Sequence, residues 1–492
     1  MPEPNRRPNL IYVFADQLRY VSCGLAGDPY AHTPNMDRLA AQGVNCVNAT
    51  VSTPVCAAYR ASLFTGTFQS THGMVINELR LSPAHECFGH VVTRHNYRTA
   101  YIGKWHLWAN ELGHHDRVRN AFVPPGPYRL GFDGYWAGYN FNHNAYGATY
   151  FEDTCEPIPY EGYEADAQTD MAIDFVRGAA AGDDPFALFL SWGPPHDPWG
   201  PENTPPEDLE MFRDADLRPR PNFSADQDAH ADAWATMGAD YLDNLQAHMR
   251  GYYAQVAGID RNLGRIMSAL DALDIADETI LVFTSDHGEM FGSHGRRAKN
   301  IFYDEAARVP FLIRQPGRLP AGRTCEVCLN TPDMMPTLLS LMGLPVPGAA
   351  EGADLCRSLT GEGADDAHAA FMQGMGTTAA WRDGSEWRAV RDRQYTYAVY
   401  RQDRQELLFD RTNDPYQMTN LADDASQQSL LRHYRDMLAR WMRDQGDTFE
   451  ACTWYERHWT EDRNVIRGAK GGTHDLDALA EIIRTHFPGD AL

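Results

Sequence analysis

The run NLIYVFA at Asn9–Ala15, closed at once by Asp16 and Gln17, is apolar at nearly every position. A strand with one wet face alternates, whereas a strand buried on both faces does not. Four further runs share this form: Thr99–Ile102, Phe186–Trp192, Thr279–Thr284 and Val309–Ile313. Helical patterns lie between them. Thr33–Gly43, TPNMDRLAAQG, offers a threonine N-cap, a proline at the first helical position and a closing glycine. From Ala247, AHMRGYYAQVAGIDRNLGRIMSALDAL predicts one long amphipathic helix. Strands alternating with helices predict an α/β fold, a large and mostly parallel sheet flanked by helices. Ligands of such sheets bind beyond the carboxyl ends of the strands, so the residues closing each run matter most.

Past residue 370 the pattern changes. SEWRAVRDRQYTYAVYRQDRQELLFD alternates as antiparallel strands do, and a helix is expected over 427–445. The expected organisation is a catalytic domain over 1–370 and a smaller α+β C-terminal domain with an antiparallel sheet over 371–492, reaching the pocket rim. The Pro- and Asp-rich stretch 200–240 predicts a long surface excursion.

Composition narrows the partners. The chain has 492 residues, 43% hydrophobic and 22% charged, as an ordinary globular protein does. A net charge of -24 argues against nucleic acid or an anionic membrane as partner, yet leaves room for a local basic site that takes a small anion. Nine thinly spread cysteines do not form a disulfide scaffold. Cys325 and Cys328 form a CxxC without a second pair, which reads as strand residues rather than zinc ligands. LIYVFA is too short for a signal peptide or a membrane span, so a cytoplasmic location is expected.

The chemistry gathers at strand ends. Asp286 and His287 follow TILVFTS as Asp16 and Gln17 follow the first run. One Asp after a strand usually makes a turn or a cap. Two oxygen-rich pairs at two strand ends can converge on one cation, and a mixed oxygen set suits Ca2+ or Mg2+ over Zn2+. In GKWHLW, Lys104 and His106 alternate along an extended chain and are expected to share a face, for charge stabilisation and proton transfer. Prolines hold His196 in SWGPPHDPW, and Lys299 lies just past SDHG. Cys56 opens CAAYRASLFTG with Arg60 one turn on, so helix N-terminus and guanidinium both favour an anion there. Aromatic and polar residues at 135–151, together with Trp105, His114, His115, His143 and Trp199, are candidate substrate contacts that could wall a sugar site.

Taken in order, NLIYVFADQ, TPNMDRLAAQG, CAAYRASLFTG, YIGKWHL, PPHDPW, SDHGEMFGSHG and YDEAARVPFLIRQPG resemble the type I sulfatases of the alkaline phosphatase superfamily. The likeness implies that a formylglycine-generating maturation enzyme oxidises Cys56 to Cα-formylglycine. One hydroxyl of its gem-diol would attack the sulfur of a small-molecule or oligosaccharide sulfate ester and leave a covalent sulfo-enzyme. It implies Ca2+, with Mg2+ or Mn2+ as alternatives, on Asp16, Gln17, Asp286, His287 and residue 56. Arg60 would hold the nucleophile, Lys104 and Lys299 the sulfate oxygens. His106 would be the base and His196 the acid. Two positions depart from the family: Gln17 stands where Asp is common, and Ala58–Tyr59 replace Pro-Ser after the cysteine. Gln17 keeps a phosphonate monoester or phosphodiester hydrolase as the alternative activity; a catalytically silent sulfate-binding protein is the third.

Overall fold

The structure is a computed structural model that describes residues 7–363, 368–472 and 474–487. Eight strands form the main sheet: β1 Asn9–Ala15, β2 Val44–Cys46, β3 Arg98–Lys104, β4 Tyr135–Tyr139, β5 Phe186–Trp192, β6 Thr279–Ser285, β7 Phe311–Arg314 and β8 Arg323–Cys325. Their order is β8-β2-β7-β6-β1-β5-β3-β4. The five adjacent strands β6-β1-β5-β3-β4 run parallel, and β7 is antiparallel to both neighbours. Every residue of β1, β5 and β6 is buried, as their unbroken apolar runs require. All five expected strands are present, with ends moved by one or two residues.

Five helices flank this sheet: α1 Pro34–Gln42, α2 Cys56–Thr65, α3 Glu164–Ala180, α4 Leu245–Ala272 and α5 Thr331–Leu341. The long amphipathic α4 packs on α1 and α3. The cap of α1 differs from expectation. Thr33 Oγ1 accepts from Gly24 N instead of capping, while the Asp260 carboxylate of α4 takes the Asn35 and Met36 N–H groups at 3.0 and 2.8 Å. A charged acceptor at the positive end of the dipole outcompetes a hydroxyl. Gly43 is not left-handed either; its φ is -146, and a Cβ there would stand 2.2 Å from Ile313 O.

The second sheet is antiparallel: β9 Ala370–Gly374, β10 Trp387–Arg391, β11 Tyr395–Tyr400 and β12 Glu406–Asp410, with α6 Gln428–Gln445 against it. Phe371 and Trp441 stack there at 4.8 Å. The 200–240 stretch is more than a surface excursion. Asp232 is 4% exposed and accepts from Thr378 N and Asn300 Nδ2, and Asp228 pairs with buried Arg296 at 2.7 Å. Its acidic residues thereby tie the excursion to the loops that follow β6 and β9. No helix among the described residues is long and apolar enough to cross a membrane.

Candidate active site

The carboxyl ends of β1 and β6 lie side by side, Ala15 paired with Ser285. The next residues are therefore forced together. Asp16, Asp286 and His287, with Cys56 from the start of α2, each offer one ligand atom within 4.8 Å of the others, all buried. Cys56 Sγ is 3.2 Å from His287 Nε2 and 3.7 Å from Asp16 Oδ1. His287 Nδ1 is 2.9 Å from Gly288 O. Donation of its N–H there turns the Nε2 lone pair to the cluster, the arrangement a metal-ligating imidazole uses. Two carboxylates and an imidazole converging in a buried site fit a divalent cation. Burial pushes His287 down, but Asp286 and Asp16 outweigh it and raise it to about 9.

Gln17 is held by acids. With φ at 71 it turns its backbone N to Asp286 Oδ1, while Nε2 donates to Glu289 Oε2 at 2.9 Å and Asp197 Oδ1 at 3.4 Å. The amide orientation is thereby fixed, with Oε1 3.3 Å from Lys299 Nζ beside the cluster. An Asp here would face two carboxylates and have no N–H for either. The departure at Gln17 thus has a local cause in Asp197 and Glu289.

Three cations offset the acids. Arg60, fully buried, reaches Asp286 Oδ2 at 3.3 Å and Asp16 Oδ2 at 3.7 Å, and donates to Ser191 Oγ and Lys104 O. Lys104 Nζ sits 2.5 Å from Asp16 Oδ2, and Lys299 Nζ is 3.0 Å from Cys56 Sγ. Burial and Asp16 push the Cys56 thiol up; Lys104, Lys299 and His287 outweigh them and hold it near about 6. The site therefore stabilises negative charge on residue 56. Asn77 Oδ1 accepts from Ala57 N and caps the first turn of α2, which has no side-chain cap of its own at Val55.

Lys104 and His106 reach the site by different means than expected. β3 ends at Lys104, and His106 is left-handed with φ at 55, so no extended alternation joins them. Gly103 also has a positive φ, at 99, and a Cβ there would lie 2.1 Å from Ser191 O, so the position takes only glycine. His106 is buried with neither ring nitrogen hydrogen-bonded, and burial, Lys104 and Arg60 hold it neutral. Lys299 Nζ stands 3.1 Å from His196 Nε2, while His196 Nδ1 faces Asp197 O at 2.9 Å.

The candidate substrate contacts divide. Trp105 is a correction: it is fully buried among Phe64, Tyr101, Phe132 and Trp136, in the core behind the strand. The first five residues of 135–151 are likewise sheet, because Tyr135–Tyr139 is β4. His114 is 43% exposed on its side chain and faces Glu111. Trp199 is 6% exposed and lines a cavity of about 770 Å³ with Tyr241 and His248, bordered by Asp197 and Ala298. His143 stacks on His196 at 3.8 Å, and His115 lies 4.3 Å from Phe141. Phe141, within the 135–151 stretch singled out in the sequence, is the hub. His106, His143 and Lys104 Nζ lie 4.6, 4.4 and 4.7 Å from its ring. Ser191, Asn77 and Asp197 were missed; no spacing signals them. Glu289 directly extends the SDHG run and was within reach of it.

The family model described as Sulfatase matches residues 8–344, and that of N-sulphoglucosamine sulphohydrolase, C-terminal, matches residues 292–444. The ulvan-active sulfatase of Formosa agariphila is 33% identical over 92% of this chain and 84% of its own. The endo-4-O-sulfatase of Bacteroides thetaiotaomicron is 28% identical over 88% of this chain and 92% of its own. The solved structure of yidJ from Bacteroides fragilis superposes with a TM-score of 0.80 at 29% identity, covering 92% of this chain and 99% of that one. With the first family model spanning more than half of its residues, the chain belongs to the sulfatase family and is a sulfuric ester hydrolase.

Proposed function

We propose that the substrate is a carbohydrate sulfate ester, that the nucleophile is Cα-formylglycine made from Cys56 by a maturation enzyme, and that the metal is Ca2+. The carrying observation is the buried cluster of Asp16, Cys56, Asp286 and His287 ringed by Lys104, Lys299 and Arg60. The carbohydrate rests on the relatives named for ulvan and for an endo-acting 4-O-sulfatase, and on the histidine and aromatic wall around Phe141. Asp16, Asp286, His287 and Gln17 Oε1 would hold the cation, which stabilises negative charge on the nucleophile. The formylglycine would supply a hydrated aldehyde in place of a thiol.

The chain's own residues do the rest. Lys104 and Lys299 flank residue 56 and bind the sulfate oxygens as charge develops there. Arg60 fixes the end of β3 against both carboxylates. His106, neutral and unpartnered, is the base that takes the proton of the nucleophile's second hydroxyl. His196 is our candidate acid for the leaving oxygen; its Nδ1 faces Asp197 O, and Lys299 Nζ, 3.1 Å from its Nε2, can hand that nitrogen the proton it gives.

Mass spectrometry of the Cys56 peptide and turnover of sulfated mono- and oligosaccharides test this. A loss of about 18 Da from the cysteine peptide is expected in active enzyme, and an unchanged mass with full activity overturns the nucleophile. A phosphonate monoester turned over faster than every sulfate ester overturns the substrate.

A further inference from the structure

Glu78 is 6% exposed, yet its Oε2 has no hydrogen-bond partner. Its Oε1 stands 3.6 Å from His115 Nε2, beyond a hydrogen bond, and that nitrogen is also unpartnered. A buried carboxylate oxygen without a donor costs about 1–3 kcal/mol or more, so such a group calls for a water, an ion or a ligand to complete it.

Their place in the fold says which ligand. Asn77, one residue earlier, caps the helix that begins at Cys56. His115 lies against Phe141, whose ring is 4.6 Å from that of His106 and 4.7 Å from Lys104 Nζ. Lys104 Nζ in turn is 3.9 Å from Cys56 Sγ. Phe141 therefore links the unpartnered carboxylate and imidazole to Lys104, which flanks residue 56.

We propose that Glu78 and His115 form a subsite for a free hydroxyl on the sugar carbon next to the sulfated one; this rests on the carbohydrate reading above. A hydroxyl both donates and accepts. Its O–H fills Glu78 Oε2, and its lone pair takes the His115 Nε2 proton. A second sulfate at that carbon has no proton to give and brings a negative charge to a buried carboxylate. The site thus selects a monosulfated glycoside with a vicinal hydroxyl and rejects the vicinal disulfate. A uronate carboxylate in that place is rejected on the same grounds.

The test uses the full-length enzyme and the monosulfated methyl glycoside that it hydrolyses best. Its partner substrates are the analogue with hydrogen for the neighbouring hydroxyl and the vicinal disulfate. Wild type is expected to lose about ten-thousandfold in kcat/KM on the deoxy analogue, as hydroxyl-reading pockets do. In Glu78→Gln the hydroxyl-to-deoxy ratio should collapse toward one and the bias against the disulfate should shrink. His115→Asn, which removes the other side of the pair, should lower the same ratio. A uniform loss that leaves the ratio intact would assign Glu78 a structural role and overturn the subsite; so would wild-type ratios in both variants. If wild type hydrolyses simple aryl sulfates but no sulfated glycoside, the carbohydrate reading itself has failed, which the other outcomes do not imply.

Discussion

Arg60 carries more of the site than any other single side chain. It is fully buried, spans Asp16 and Asp286, and anchors Lys104 O and Ser191 Oγ on two neighbouring strands. A lysine ammonium cannot serve all four, because it lacks the planar fork. Arg60→Lys should therefore lower kcat by about a hundredfold or more, as loss of a preorganised electrostatic group does. Arg60→Met should also destabilise the fold by about 3–5 kcal/mol, the scale for leaving buried charges unpaired. Ser191→Ala, which removes one bond, should cost only about 1 kcal/mol. Kinetics and thermal melts of the three variants check this ordering; equal effects of Arg60→Met and Ser191→Ala would defeat it.

At the scale of elements, the site is a consequence of adjacency: β1 and β6 pair in register, so their closing residues meet. This part was legible in the sequence, because two unbroken apolar runs each end in an acid-containing pair, Asp16–Gln17 and Asp286–His287. The turn at His106 was not, because positive φ values at Gly103 and His106 take the chain out of the extended form, and the lack of room for a Cβ at Gly103 comes from Ser191 on a strand far away in the chain. Trp105 misled for the same reason: sequence proximity to His106 does not say which side of the strand end a ring takes. Glu78 lies in a loop whose place depends on the whole fold. The paired strand ends also make a prediction about protons. His287 without metal is raised to about 9, above its unfolded value near about 6.5. Its proton contributes stability below about pH 6.5, and that contribution is lost as pH rises toward 9. A cation needs the Nε2 lone pair and must displace that proton. Calorimetry in buffers of different ionisation enthalpy should show about one proton released per ion near neutral pH and none once the pH exceeds His287's value. Binding without proton release at neutral pH would contradict the ligand role of His287.

At the scale of the molecule, the antiparallel sheet is fastened to the catalytic half close to the nucleophile. Gln373 N reaches Ser52 O at 2.8 Å, Asn77 N reaches Thr378 O at 3.0 Å, and Asn300, next to Lys299, reaches Gly376 O at 3.0 Å. Asp304 is the charged centre of this seam. It is 5% exposed and faces Arg391 at 3.4 Å, Arg411 at 3.6 Å and Arg308 at 3.6 Å, drawn from both halves. Burial raises its pKa, but Arg391, Arg411 and Arg308 outweigh that and bring it down to about 2. A depressed carboxylate stabilises the fold above its unfolded value, near about 3.9, and loses that contribution as pH falls toward 2. The shift is worth about 2 kcal/mol, with the loss of a buried partner for three guanidinium groups added on top. Asp304→Asn should therefore melt well below wild type at neutral pH. The gap should narrow as the pH drops below about 4, because wild type then carries a neutral carboxyl where the variant carries a neutral amide. Since the seam abuts Ser52, Asn77 and Asn300, the variant should lose sulfatase activity at temperatures where its main sheet is still folded by circular dichroism. Melting temperatures that stay equal from pH 7 downward would remove Asp304 from the seam's electrostatics. Activity that survives until the main sheet melts would show that the second sheet does not hold the nucleophile's surroundings in place.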